Sequence, residues 1–125
     1  MRTSVLVIDD DPLVREVLCE MLRGLRRPLD VSSAADGNDG VNLFRKSPRD
    51  VVITDIFMPG QEGHEVIGEL RRIHPDVRII AISGGGGVFE AEDALMNAKR
   101  IGAHATLSKP FTKDALESAL DSVLA

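Results

Sequence analysis

The sequence predicts an α/β domain built on a doubly wound, five-stranded parallel sheet. Three observations predict it. Apolar runs of strand length alternate five times with segments of helical period, the pattern of a parallel sheet covered by helices. A strand, a helix and two short loops occupy about 25 residues, and a chain of 125 residues holds five such units. The residues able to do chemistry fall just after the ends of strands, where open parallel sheets bind their ligands.

The elements follow in order. Val5-Leu6-Val7-Ile8 is the first strand. Asp11-Pro12 reads as a helix N-cap followed by proline in the first turn. Leu13, Val14, Val17, Leu18, Met21, Leu22 and Leu25 then form one apolar helical face, ended by Gly24 and Pro28. Leu29 to Ala34 is a weaker strand; Asp30 and Ser32 place it at a sheet edge. A short helix spans about Asn38 to Lys46, closed by Ser47-Pro48. Val51-Val52-Ile53 begins a buried strand that ends at Asp55, and Met58-Pro59-Gly60 is a turn. Val66, Ile67, Leu70 and Ile73 mark a third helix, stopped by His74-Pro75. Val77 to Ile82 is the most continuous strand, suited to burial on both faces. Gly84 to Gly87 is a loop. Ala91, Ala94, Leu95, Ala98 and Ile101 mark a fourth helix capped by Gly102. A fifth strand runs from about Ala103 to Leu107 and ends at Lys109-Pro110. Ala115, Leu116, Ala119, Leu120, Val123 and Leu124 mark the last helix.

Composition narrows the function. The length is too short for a (β/α)₈ barrel of about 250 residues. It predicts one domain over 1–125, with no output domain appended. The lone Cys19, read as a packing residue on a helix, excludes an internal disulfide and a multi-cysteine zinc site. The apolar runs reach four residues, far below the ~18 of a membrane span, and no signal peptide precedes Asp9. The expectation is a cytoplasmic protein with no membrane contact. A net charge of −5 without a basic cluster argues against nucleic-acid binding. The chain has four Phe and no Trp or Tyr, a poor supply of stacking surfaces for bases.

Asp9, Asp10 and Asp11 follow the first strand, Asp55 the third, Ser83 the fourth and Lys109 the fifth. The sequence does not dictate strand order. In the order 2-1-3-4-5 the switch point lies between strands 1 and 3, which deliver Asp9, Asp10 and Asp55. Three carboxylates so close repel one another, and a divalent cation relieves them. Oxygen ligands favour Mg²⁺, which commonly serves phosphate chemistry. Lys109 and the Ser83 hydroxyl would face it, forming a cradle for a phosphoryl group with Asp55 as nucleophile. Each residue also has a plain structural reading: Asp11 as a helix cap, Asp55 in a turn, Ser83 opening a loop, Lys109 on the surface. Their joint placement at four strand ends favours the site. His64, His74 and His104 have no partners at ligand spacing and read as surface residues. Gly84–Gly87 is neither a P-loop nor a dinucleotide fingerprint, because no Gly-Lys-Ser/Thr follows and Phe89 stands at the final glycine position.

Four pieces together resemble a response-regulator receiver domain of the CheY-like family. They are Val-Leu-Val-Ile-Asp9-Asp10, Val-Val-Ile-Thr-Asp55-Ile-Phe-Met-Pro-Gly, Ile-Ile-Ala-Ile-Ser83, and Gly-Ala-His-Ala-Thr-Leu-Ser-Lys109-Pro-Phe. The resemblance implies a flavodoxin-like (βα)₅ fold in the order 2-1-3-4-5. It implies that Asp55 is the phosphoacceptor and that Asp9 and Asp10 hold Mg²⁺, Asp10 more directly, with Asp55 and the backbone carbonyl of Phe57 as further ligands. It makes Ser83 the hydroxyl that meets the phosphoryl oxygen and Lys109 its cationic partner, and implies that Lys109-Pro110 is often cis. The sequence departs from the family pattern in two places. Thr106 stands where an aromatic switch residue is usual. The interval from Ser83 to Lys109 is a few residues longer than usual, with the excess in Gly84–Gly87. Ordering of that loop and of the start of the following helix is the expected substitute for the aromatic swing.

The function expected is a single-domain response regulator in a two-component relay. A sensor histidine kinase or histidine phosphotransfer protein would donate to Asp55, and a downstream protein of unknown identity would read the result. Such a module is a phosphoacceptor rather than an enzyme, with slow self-catalysed dephosphorylation. The alternative is a docking module of the same fold that works without phosphorylation; the complete set of acids, hydroxyl and lysine counts against it. A metal-dependent phosphohydrolase is a third class. Its usual second acid, two residues after the nucleophile, is absent at Phe57.

Overall fold

The runs rich in Val and Ile pair side by side in one parallel sheet. Its strands are β1 (Thr3–Ile8), β2 (Leu29–Ala34), β3 (Val51–Asp55), β4 (Arg78–Ser83) and β5 (Ala105–Ser108). Their spatial order is β2-β1-β3-β4-β5, the doubly wound order expected. The computed structural model describes residues 2–56, 63–83 and 102–125. Within them lie four helices: α1 (Pro12–Arg23), α2 (Gly37–Lys46), α3 (Gly63–Ile73) and the last helix of the chain, α4 (Lys113–Leu124). Phe57, the turn at Met58–Gly60, the loop at Gly84–Gly87 and the predicted helix of Ala91 to Ile101 lie outside the described residues.

Side chains alternate across a strand, so each strand feeds both faces. Val5 and Val7 of β1, Val51 and Ile53 of β3, and Ile80 and Ile82 of β4 pack with Leu18 and Leu22 of α1 and Leu116, Leu120 and Val123 of α4. Leu6, Ile8, Val52, Ile79 and Ala81 turn the other way, onto Val41 and Phe44 of α2 and Val66, Ile67 and Leu70 of α3. The two apolar layers fix the strand register, because a slip of one residue would exchange the faces.

Local chemistry sets the helix ends. Asp11 Oδ1 accepts from Leu13 N at 3.0 Å and Val14 N at 3.4 Å, with Pro12 in the first turn. Asp36 caps α2 by accepting from Asp39 N at 2.8 Å, and Thr112 caps α4 by accepting from Ala115 N at 3.1 Å. These two caps place the helix starts at Gly37 and Lys113, earlier than the apolar period alone places them. Gly40 lets α2 approach β1: a Cβ there would lie 2.7 Å from Ile8 Cγ1 and closer still to Cδ1.

Two expectations need correction. The apolar stripe of α1 is wider than the core: Leu13 is 68% exposed and Val17 42% exposed, while Leu18, Cys19 and Leu22 are buried. The fifth strand begins at Ala105 rather than Ala103. His104 N donates to Ile79 O at 2.7 Å, but Ile79 N donates to the His104 ring nitrogen Nδ1 at 3.1 Å. A side chain takes the place of a backbone acceptor, so the regular ladder starts one residue later. His104 is exposed, as expected of a surface residue, yet it closes the sheet edge.

Candidate functional site

The parallel register carries the acids to one end of the sheet. Ile8 pairs with Thr54, and Asp55 pairs with Ile82, so the residues after β1 and at the end of β3 are neighbours. Asp9, Asp10 and Asp55 each present a carboxylate oxygen, and these oxygens lie within 4.8 Å of one another. Asp9 is fully buried, Asp55 is buried and Asp10 is exposed. Ser83 pairs with Ser108 across β4 and β5, and Lys109 N donates to Ser83 O at 2.7 Å. That bond extends the ladder and aims the lysine back over the sheet end. The Lys109–Pro110 peptide is cis.

Lys109 Nζ donates to Asp55 Oδ2 at 2.9 Å and lies 3.3 Å from Asp9 Oδ2. One ammonium therefore serves carboxylates from two strands. Asp9 Oδ1 accepts from Asp11 N at 2.9 Å. Asp9 Oδ2 is buried and has no directed hydrogen bond among the described residues; the ammonium beside it is off line. Burial pushes the Asp9 carboxyl above the ordinary carboxylate range. The Asp11 amide opposes that, the Asp55 charge adds to it, and Lys109 offsets part. Burial also works against the Lys109 ammonium, but the hydrogen bond and charge of Asp55, with Asp9 behind it, hold its pKa above the usual lysine value.

Ser83 is fully buried, and its Oγ has no hydrogen-bond partner among the described residues. Thr106 is half-buried and pairs with Ala81, two strands from Asp55. The structure thus brings together Asp9, Asp10, Asp55 and Lys109, and sets Ser83 on the strand beside Asp55. Two residues near the site escaped the sequence reading. Thr54 is fully buried and its hydroxyl donates to Asp55 O at 3.1 Å. Arg15 donates from Nη1 to the backbone oxygen of Asp9 at 2.8 Å. Its position, one turn after the Asp11 cap, was the available signal.

The donor set fits a hard divalent cation: all oxygen, three acids, and one buried carboxylate oxygen short of a directed partner. Residues 5–121 match the family model of the response regulator receiver domain. The chain belongs to the response regulator receiver domain family. It is 35% identical over 116 residues to a probable C4-dicarboxylate response regulator, DctR, of Halalkalibacterium halodurans, covering 93% of this chain and 49% of that protein. It is 39% identical over 127 residues to the C4-dicarboxylate transport transcriptional regulatory protein DctD of Pseudomonas aeruginosa, covering 98% of this chain and 24% of that protein. The receiver chain thus spans about half the length of such curated relatives, or less. Among solved structures it resembles the Vibrio cholerae chemotaxis protein CheY4 with a TM-score of 0.82 and 26% identity, covering 98% of this chain and 99% of that one. The chain is therefore a receiver domain of the kind these response regulators carry. Among its described residues no helix is long and apolar enough to cross a membrane.

Proposed function

We propose that this receiver accepts a phosphoryl group on Asp55 with Mg²⁺ as cofactor. The observation that carries the reading is the Lys109 ammonium, 2.9 Å from Asp55 and 3.3 Å from Asp9, inside a cluster of three carboxylates. Asp9, Asp10 and Asp55 would hold the cation, joined by the Phe57 carbonyl, which lies outside the described residues. When bound, Mg²⁺ supplies charge stabilisation for the transferring phosphoryl oxygens. A carboxylate oxygen of Asp55 attacks phosphorus, a P–O bond forms, and the bond from phosphorus to the donor's histidine nitrogen breaks with its electron pair leaving on nitrogen. Lys109 offsets part of the charge that arrives. The buried Ser83 hydroxyl, without a partner among the described residues, is the group poised to bond a phosphoryl oxygen. Thr106 takes the switch position without an aromatic ring.

The chain acts as a phosphoacceptor rather than an enzyme, and attack of water on the acyl phosphate returns it slowly to the carboxylate. A sensor histidine kinase or histidine phosphotransfer protein is the donor. Exposed Leu13 and Val17 line an apolar groove of about 400 Å³ with Val14, Met21, Lys109 and Phe111, which gives a donor a surface beside the acceptor. The output is a protein contact in the cytoplasm; the net charge of −5 without a basic cluster argues against contact of the receiver itself with nucleic acid.

Incubation with acetyl phosphate and Mg²⁺, followed by intact mass measurement, tests the chemistry. Wild type gains one phosphoryl group; Asp55→Asn gains none, and chelation of Mg²⁺ prevents the gain. A wild type that binds Mg²⁺ yet stays unmodified defeats the proposal.

A further inference from the structure

We infer that Arg15 is a positioning residue for the divalent cation, acting through the peptide that presents Asp10; the inference rests on the Mg²⁺ reading above. Helical side chains lean toward the N-terminus of their helix. Arg15, one turn into α1, therefore reaches back over the Asp11 cap to the end of β1. There its Nη1 donates to the Asp9 carbonyl at 2.8 Å, and the residue is half-buried. That carbonyl and the Asp10 N–H belong to one rigid planar unit. Holding the oxygen restrains the plane, and the plane sets the position of the Asp10 Cα, from which its side chain leaves the chain.

Asp10 depends on this more than its neighbours do. Asp9 is fixed by burial and by the Asp11 amide. Asp55 is fixed at the end of β3 with Lys109 on its carboxylate. The Asp10 carboxylate is exposed and makes no hydrogen bond or ion pair with any described residue. Its place in the cluster of three acids is set by its backbone, and Arg15 is the side chain that grips that backbone.

The charge of Arg15 argues in the opposite direction. A guanidinium near a cation site repels the cation, so charge alone makes its removal tighten binding. A positioning role makes its removal weaken binding. The sign of the change separates the two. Outer-shell partners of metal ligands typically change affinity 10–100-fold, and Arg15 acts at one further remove, through the backbone.

The experiment is calorimetric titration of Mg²⁺ into the whole chain for wild type, Arg15→Met, Arg15→Lys and Asp10→Asn, with thermal melting of each. Arg15→Met keeps the apolar stem and loses donor and charge; the expected result is roughly tenfold weaker Mg²⁺ binding with a melting transition close to wild type. Arg15→Lys keeps a donor and the charge, and restores most of the affinity. Equal or tighter binding by a folded Arg15→Met overturns the inference. If Arg15→Met does not melt cooperatively, Arg15→Lys decides: an affinity as weak as that of Asp10→Asn overturns it. A wild type that binds no Mg²⁺ overturns the underlying cation reading as well, while normal binding with an unaffected Arg15→Met overturns this inference alone.

Discussion

The same substitution at two helical glycines is expected to change stability in opposite directions. Gly68 lies on the exposed side of α3, and a Cβ there meets nothing within 4 Å. Gly40 lies buried in α2, where a Cβ would sit 2.7 Å from Ile8 Cγ1 and 3.3 Å from Cγ2, with Cδ1 nearer. Gly68→Ala meets only the propensity term, a gain of about 1 kcal/mol in a helix interior. Gly40→Ala gains the same term but must displace Ile8, which is fully buried on β1. Forcing a methyl into a packed core costs about 1–3 kcal/mol. The net is a loss on the order of 1 kcal/mol, so the two variants differ by roughly 2 kcal/mol. Urea unfolding followed by far-ultraviolet circular dichroism resolves this, since the midpoint moves while the slope stays constant. Ile8→Val removes Cδ1 and costs about 1 kcal/mol alone; in the Gly40→Ala background it costs less, because the clash it relieves was already present. Gly40→Ala as stabilising as Gly68→Ala would falsify the close approach of α2 to β1.

Three further outcomes follow from the site and the sheet edge. Asp9→Asn is expected to stabilise the metal-free protein near neutral pH. The Asp9 carboxyl is raised above the ordinary aspartate value of 3.8 chiefly by burial, so the folded state prefers it protonated; that contribution is present below 3.8 and is lost as pH rises through the folded value. Denaturant midpoints between pH 4 and 7 in chelator read it, and a wild type that gains on Asp9→Asn across that range refutes it. Lys109→Ala leaves two close carboxylates without their shared ammonium, an expected loss of ~2 kcal/mol after allowance for partial exposure. Asp55→Asn in the same chain recovers part of that loss, and an additive double mutant contradicts the pairing. His104 accepts from Ile79 N through Nδ1, which only the neutral ring can do, and burial first, then Arg71 and Arg78, lower its pKa. Its contribution is present above 6.5 and lost as pH falls through the folded value, about 0.5 kcal/mol for so exposed a ring. His104→Phe, which cannot accept, flattens the midpoint-against-pH profile near pH 6; an unchanged profile removes the ring from the account.

The strands and the order of elements were legible because both faces of the sheet are buried. Continuous apolar runs such as Ile79 to Ile82 leave little else for those residues to do. The acids were legible because ligands gather at strand ends, and the family resemblance gave each acid a role. Less visible were features that depend on a distant partner. Gly40 looks like a helix weakness until Ile8 is set against it. His104 looks like a solvated ring until Ile79 N points at it. Leu13 and Val17 fit the core period of α1 but stand proud of the core, because periodicity reports which face of a helix is apolar and not how far the sheet extends beneath it. Arg15 was hard to see because its partner is a backbone oxygen, which no residue identity announces; its place one turn after the Asp11 cap was the one signal.

The charge balance explains why the pieces of this site hang together. Three carboxylates face one ammonium in direct contact with two of them, which leaves an excess of about two negative charges at the end of a sheet whose interior disfavours even the Asp9 charge. A divalent cation, as proposed, would cancel that excess. In the proposed reaction Asp55 would exchange its single carboxylate charge for a phosphoryl group of about −1.5 to −2, a net addition of at most about −1, and would gain three acceptor oxygens, more than Lys109 can offset while it also serves Asp9. The new oxygens need donors, and Ser83 Oγ is a buried donor with no partner among the described residues. An unsatisfied buried hydroxyl costs about 1–3 kcal/mol. If the phosphoryl group of the proposed reaction supplied Ser83 with an acceptor, the two states would differ in free energy, and only such a difference can shift a conformational equilibrium. Ser83 closes β4, so in the proposed reaction a turn of its side chain toward the phosphoryl group would act on the backbone at the end of that strand.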